Sequence, residues 1–121
     1  MPHTRPCLVA TTVPHEGGLP VAFVLGPDAE VLDFAGPVEV FASAWTDSFQ
    51  PAFKPYYVAA AKTPVRVGAG MRIVPDYTFA NAPAPKVIVI PAMNDTCAEM
   101  IAWIREAAKT ADVTMSVCNG A

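Results

Sequence analysis

Cys118 follows the segment DVTMSV (residues 112–117) directly and precedes Asn119, Gly120 and Ala121. Small and turn-favouring residues after a strand let the backbone swing sharply, and a cysteine at such an elbow is presented as a nucleophile. A thiol held at a helix N-terminus has its anion favoured by oriented N–H groups. The competing reading is a cysteine packed as a small apolar residue at the end of a buried strand. Asp33 lies in LDFAGP, an acid within an otherwise apolar stretch. A carboxyl there could accept or hold a thiol proton, a general acid–base role that calls for partial burial. Its plainer reading is a turn or helix-entry aspartate. Backbone N–H groups at Ala92, Met93 and Asn119 could face the same spot and stabilise a developing oxyanion, a task set by geometry rather than by side-chain type.

These residues need a scaffold, and the hydropathy pattern describes one. Residues 19–25 (LPVAFVL) form a nearly continuous apolar run closed by Gly26, Pro27 and Asp28, as expected of a strand covered on both faces. A helix is predicted from near Gly36 and Pro37 through Trp45, with Pro37 in the first turn, where a missing N–H is tolerated. Residues 56–61 (YYVAAA), bracketed by Pro55 and Pro64, read as a second strand. VRVGAGMRIV (residues 65–74) reads as a solvated hairpin with a glycine-rich turn. After a Pro-rich loop, VIVI (residues 87–90) carries the strongest buried-strand signal. A second helix is predicted with Asn94 or Asp95 as N-cap and Met100, Ile101, Ile104, Ala107 and Ala108 on one face. Residues 112–117 return as a strand. This order predicts an α/β fold: a flavodoxin-like, doubly wound parallel sheet with right-handed crossovers and helices on both faces. Ligands of such sheets bind beyond the carboxyl ends of the strands. Asp33, the segment after VIVI and Cys118 all fall there.

The chain has 121 residues, room for a single domain. Residues 1–18 read as a poorly ordered leader and residues 19–121 as the domain. With 53% hydrophobic and 16% charged residues the composition is that of a buried core rather than a disordered chain. The net charge of −3 supplies no excess of positive charge for phosphate backbones or anionic lipid, so neither nucleic acid nor membrane is an expected partner. Cys7, Cys97 and Cys118 make neither a disulfide framework nor a metal site, which fits a reducing cytoplasm. Trp45 and Trp103 are expected to pack inward or at a dimer surface. Cys97, near a helix start, ranks below Cys118 for lack of an acid-and-elbow arrangement.

The run VAFVLGPDAEVLDFAGPVEVFASA, then MRIVPDYTFANAP, VIVIPA and TMSVCNGA, in order from residue 19 to residue 121, resembles the ThiJ/PfpI superfamily of glutamine-amidotransferase-like domains. The resemblance is closest to the branch holding isocyanide (isonitrile) hydratase and the sensor domains of AraC-type regulators. It implies that Cys118 is the nucleophile, that Asp33 is the acid hydrogen-bonded to it, and that Asn119 and Ala92 donate backbone N–H groups to the oxyanion site. The implied reaction is a hydratase (lyase) step: the thiolate attacks the isocyanide carbon, the acid manages protons and water releases an N-substituted formamide. It implies no metal and no organic cofactor. Ala92 and Met93 stand where the family usually has a glycine pair, and Asn119 stands where the hydratase has a functional threonine. Family members continue beyond the elbow into a further helix and strands, often with a downstream histidine, whereas the histidines here are His3 and His15 in the leader.

Three functions compete. The first is a cysteine-dependent hydratase or hydrolase-like enzyme acting on a small electrophile. The second is a ligand-sensing domain of an AraC-type regulator, holding the same small molecule without turnover. The third is a redox or stress-response protein in which Cys118 oxidises reversibly. Apolar surface left open beside the elbow favours a homodimer or association with a missing C-terminal segment.

Overall fold

The computed structural model describes residues 17–120. The predicted leader, with His3, Cys7 and His15, lies outside the described residues apart from Gly17 and Gly18.

Five parallel strands form the sheet: β1 (Leu19–Val24), β2 (Phe53–Ala59), β5 (Tyr77–Thr78), β6 (Val87–Ile90) and β7 (Val113–Ser116). Their spatial order is β5-β2-β1-β6-β7, the flavodoxin-like arrangement. The chain moves from β1 to β2 on one side and to β6 on the other, so the switch point lies between β1 and β6. Helices α1 (Val31–Ala42) and α2 (Ala98–Ala108) cover the sheet. Alternation along β1 divides the core into two layers. Val21, Phe23 and Leu25 pack with Phe34, Ala35, Val38 and Phe41 of α1, whereas Ala22 and Val24 pack with Met100, Trp103, Ile104 and Ala107 of α2. Both faces of β1 and β6 are therefore dry, which is why their sequences read as unbroken apolar runs.

Four elements differ from expectation. Helix α1 begins at Val31, not near Gly36, and Pro37 sits in its interior. Pro37 has no N–H to offer the Asp33 carbonyl, a defect that costs about 3 kcal/mol in a helix. Phe34, 1% exposed and stacked edge-on to Tyr57 at 6.1 Å, seats the first turn on the sheet and offsets that loss. Strand β2 starts three residues early and includes Pro55. The Tyr57 N–H on the same flank of β2 reaches the Asp76 carboxylate at 2.9 Å, and β5 pairs β2 only at Val58 and Ala59. Pro55 thus falls where no ladder bond is required. The two-residue β5 was not expected at all.

The N-cap of α2 is Cys97, whose Sγ accepts from the Met100 N–H at 3.4 Å, rather than Asn94 or Asp95. The inward face of α2 runs through Met100, Trp103, Ile104 and Ala107, leaving Ile101 and Ala108 exposed. Trp103 packs on Phe79 at 5.5 Å as expected, whereas Trp45 is 62% exposed. The glycine turn is a true hairpin of β3 (Val65–Arg66) and β4 (Arg72–Ile73) around a 3-10 turn at Gly68–Gly70. It is pinned to the loop after β1 by Asp28 N–H to Arg66 O and Gly68 N–H to Ala29 O, both 2.9 Å.

Phe23→Ala should lower stability by about 3–5 kcal/mol in denaturant titration, while Val74→Ala, at a position 61% exposed, should change it by less than about 0.5 kcal/mol. Burial, with Tyr77 adding to it, raises the Tyr56 phenol above its ordinary value of 10, and its O–H donates to the Pro83 carbonyl at 2.6 Å. The folded state therefore holds this proton more tightly than the unfolded state does. That stabilisation is full below about pH 10 and fades as pH rises further. Unfolding measured from pH 8 to 11 should show stability falling above pH 10, with a shallower fall in Tyr56→Phe.

Candidate active site

Strand β7 ends in a four-residue turn that fixes the geometry of Cys118. The Gly120 N–H donates to the Val117 carbonyl at 2.9 Å, placing Cys118 and Asn119 at the two central positions. Cys118 has φ 56°, whereas Asn119 keeps an ordinary negative φ. A positive φ at the first central position alone belongs to turns that normally place glycine there. A non-glycine residue held so costs about 1–3 kcal/mol and persists only where its surroundings over-determine it. The surroundings do so here. Val117 N–H bonds the Ile90 carbonyl at 3.0 Å, and Gly120 lies so close to that carbonyl that a Cβ would collide with it. Glycine is needed at 120, and the cysteine takes the strained position. Among the described residues Cys118 is a free and exposed cysteine.

The opposite wall comes from the segment joining β1 to α1. Gly26, Pro27, Asp28 and Ala29 form a turn with Ala29 N–H to Gly26 O at 3.2 Å and Asp28 at φ 61°. Pro at the first central position and a left-handed residue at the second are the type II requirements. Glu30 follows as the N-cap residue of α1, and Asp33 falls in its first turn, where the helix dipole favours a carboxylate. The segment after β6 is clamped to this wall twice. The Ala92 N–H donates to Asp33 Oδ2 at 3.2 Å, and the Glu30 N–H donates to the Ala92 carbonyl at 2.8 Å.

Asp33, Ala92, Cys118 and Asn119 all line one cavity of about 280 Å³ at the carboxyl edge of the sheet, together with Asp28, Glu30, Met93 and Asn94. It draws on the segments after β1, β6 and β7 and so sits at the switch point. Two details differ from what the resemblance implied. Asp33 makes its hydrogen bond to the Ala92 N–H, and among the described residues none joins it to the Cys118 sulfur. The Ala92 N–H is thereby engaged by a carboxylate, while the Asn119 N–H has no acceptor among the described residues. Cys97 lies elsewhere, in a larger cavity of about 440 Å³ beyond β1 and β2. No group of three or more His, Cys, Asp and Glu among the described residues is disposed to hold a metal ion. Sequence reasoning missed Asp28 and Glu30; the acids of GPDAEVLD were the available signal.

No family model matches the sequence. The isonitrile hydratase of Pseudomonas putida is 30% identical over 109 residues, an alignment covering 84% of this chain and 44% of that protein. The crystal structure of a ThiJ/PfpI family protein from Pseudomonas syringae superposes with a TM-score of 0.74 at 30% identity, covering 98% of this chain and 50% of that one. The resemblance to the ThiJ/PfpI superfamily holds, in sequence and in fold. An AraC family transcriptional regulator from Pseudomonas putida shares the fold with a TM-score of 0.63 at 16% identity, over 84% of this chain and 66% of that one. The chain spans about half the length of the isonitrile hydratase and of the ThiJ/PfpI family protein. No helix among the described residues is long and apolar enough to cross a membrane.

If strain is stored at Cys118, Cys118→Gly will be more stable than Cys118→Ala by about 1 kcal/mol in denaturant midpoint, since only glycine adopts this φ freely. Equal stabilities, or alanine the more stable, would show that the turn holds no strain.

Proposed function

We propose that this chain carries the nucleophile and acid of a ThiJ/PfpI-type enzyme that adds water to a small electrophile, with isocyanides as the leading class. The observation that carries the reading is the exposed Cys118 at φ 56° sharing one cavity with Asp33. The 30% identity to an isonitrile hydratase supports the substrate class. In this reading the Cys118 sulfur bonds the terminal carbon of R–N≡C, and that carbon takes a proton managed by Asp33, giving a thioimidate. Water then adds across the C=N bond, the C–S bond breaks, and R–NH–CHO leaves with the thiolate restored. Negative charge developing during these steps would meet the Asn119 N–H, which has no acceptor among the described residues. The Ala92 N–H serves first to orient Asp33 and reaches the reacting group only if the carboxyl yields it. The chemistry draws on no metal or organic cofactor.

The likeness to an AraC family regulator supports a second reading, in which the same cavity holds a small molecule without turnover as a sensor domain. In either reading we place the protein in the cytoplasm. The apolar Leu32 and Val40, 82% and 70% exposed on α1, are surface that a second copy of the chain would cover.

Turnover of an aryl isocyanide, followed as formamide by chromatography, should fall at least about 10³-fold in Cys118→Ala and about 10²- to 10⁴-fold in Asp33→Asn. Undiminished rates in Cys118→Ala would reject the enzyme. Ligand binding that survives Cys118→Ala, with no formamide from the wild type, is the sensor's signature.

A further inference from the structure

Three acidic residues, Asp28, Glu30 and Asp33, line the same cavity as Cys118, and among the described residues no lysine or arginine lines it. None of the three acids has an ion-pair partner among the described residues, where the salt bridge formed is Lys109 to Glu106 on α2. The nearest basic side chains by sequence and packing serve other spaces. Arg66 gives its carbonyl to the Asp28 N–H, but its guanidinium lies against Gly70 of the hairpin and the residue lines the larger cavity beyond β1 and β2. Arg105 lines an adjoining cavity that shares Met93 and Asn119 with this one, but it is not among the residues lining the Cys118 cavity itself. The positive end of α1 offsets about half a charge, which leaves the wall negative even when Asp33 holds a proton. Mechanism accounts for Asp33 alone; Asp28 and Glu30 are exposed at the cavity's edge and are unexplained by it.

Resting on the reading of Cys118 as the nucleophile, we infer that Asp28 and Glu30 make this site select its substrate by charge, admitting cationic electrophiles most readily, neutral ones next and anionic ones least. A cleft lined by one sign of charge concentrates ions of the other sign and repels its own, with effects on encounter rates of about 10- to 10³-fold that shrink as salt rises. The natural substrate is then an uncharged or amine-bearing small electrophile, not one carrying a carboxylate or phosphate.

The test measures second-order rates of labelling at Cys118, by quenched peptide mapping, with three methanethiosulfonates: the cationic 2-(trimethylammonium)ethyl, the neutral methyl and the anionic 2-sulfonatoethyl reagents. Each transfers its alkylthio group to the thiolate and releases sulfinate, so intrinsic chemistry is matched. Low ionic strength should give a cationic-to-anionic rate ratio at Cys118 at least about tenfold above that at Cys97, whose cavity is lined by one basic and one acidic residue, Arg66 and Asp95. The ratio should fall with added salt. In the Asp28→Asn/Glu30→Gln double variant it should collapse toward that of Cys97; asparagine tolerates the left-handed backbone at position 28. Labelling of Cys118 with no charge order, or an order unchanged in the double variant, would overturn the inference and leave the nucleophile standing. Failure of all three reagents to label Cys118 while labelling Cys97 would overturn the nucleophile reading and the inference with it.

Discussion

The site depends on one close approach: Gly120 lies against the carbonyl of Ile90 with no room for a Cβ between them. Together with the Val117 N–H bond to the same carbonyl, this ties the end of β7 to the end of β6 and forces the chain to reverse within two residues. Cys118 then has nowhere to go but a positive φ. The exposure of the thiol follows from backbone geometry, and the energy that maintains it comes from the buried strands behind it. Val87, Ile88 and Val89 are at most 6% exposed, so the frame against which the turn closes is rigid.

The acid wall is held by similar means. Phe34 and Asp33 are neighbours in the first turn of α1, and the phenyl ring is buried in the core while the carboxyl faces the cavity. Core packing therefore positions the acid. The reciprocal bonds between Ala92 and the pair Asp33 and Glu30 then fix the distance between the β1 and β6 segments. The β3–β4 hairpin, an excursion from the sheet by sequence, backs the loop bearing Asp28 through two backbone hydrogen bonds. A solvated ornament thus becomes a support for the site.

Much of this was legible in the sequence where one cause dominated. A strand buried on both faces must be continuously apolar, so VIVI matched its observed bounds residue for residue. The glycine hairpin and the sharp turn at Cys118 were legible because turn chemistry is local. Elements decided by tertiary contact were not. Pro37 looks like the first turn of a helix because local preference puts proline there, yet the burial of Phe34 extends α1 upstream past it. The two residues of β5 have no pattern of their own and exist only because β2 offers an edge at Val58 and Ala59. Asp33, Ala92, Cys118 and Asn119 were each expected near the strand ends, and they do share a cavity. The bond between Asp33 and the Ala92 N–H joins residues 59 apart, and no local rule foretells it.

In the proposed reaction the Cys118 sulfur forms the bond to substrate. Acid-quenched peptide mapping during turnover of an aryl isocyanide measures this directly. The predicted result is an adduct of the full isocyanide mass on the peptide bearing Cys118, with Cys97 unmodified. Formamide production accompanied by an adduct on any other residue, with Cys118 bare throughout, would contradict it.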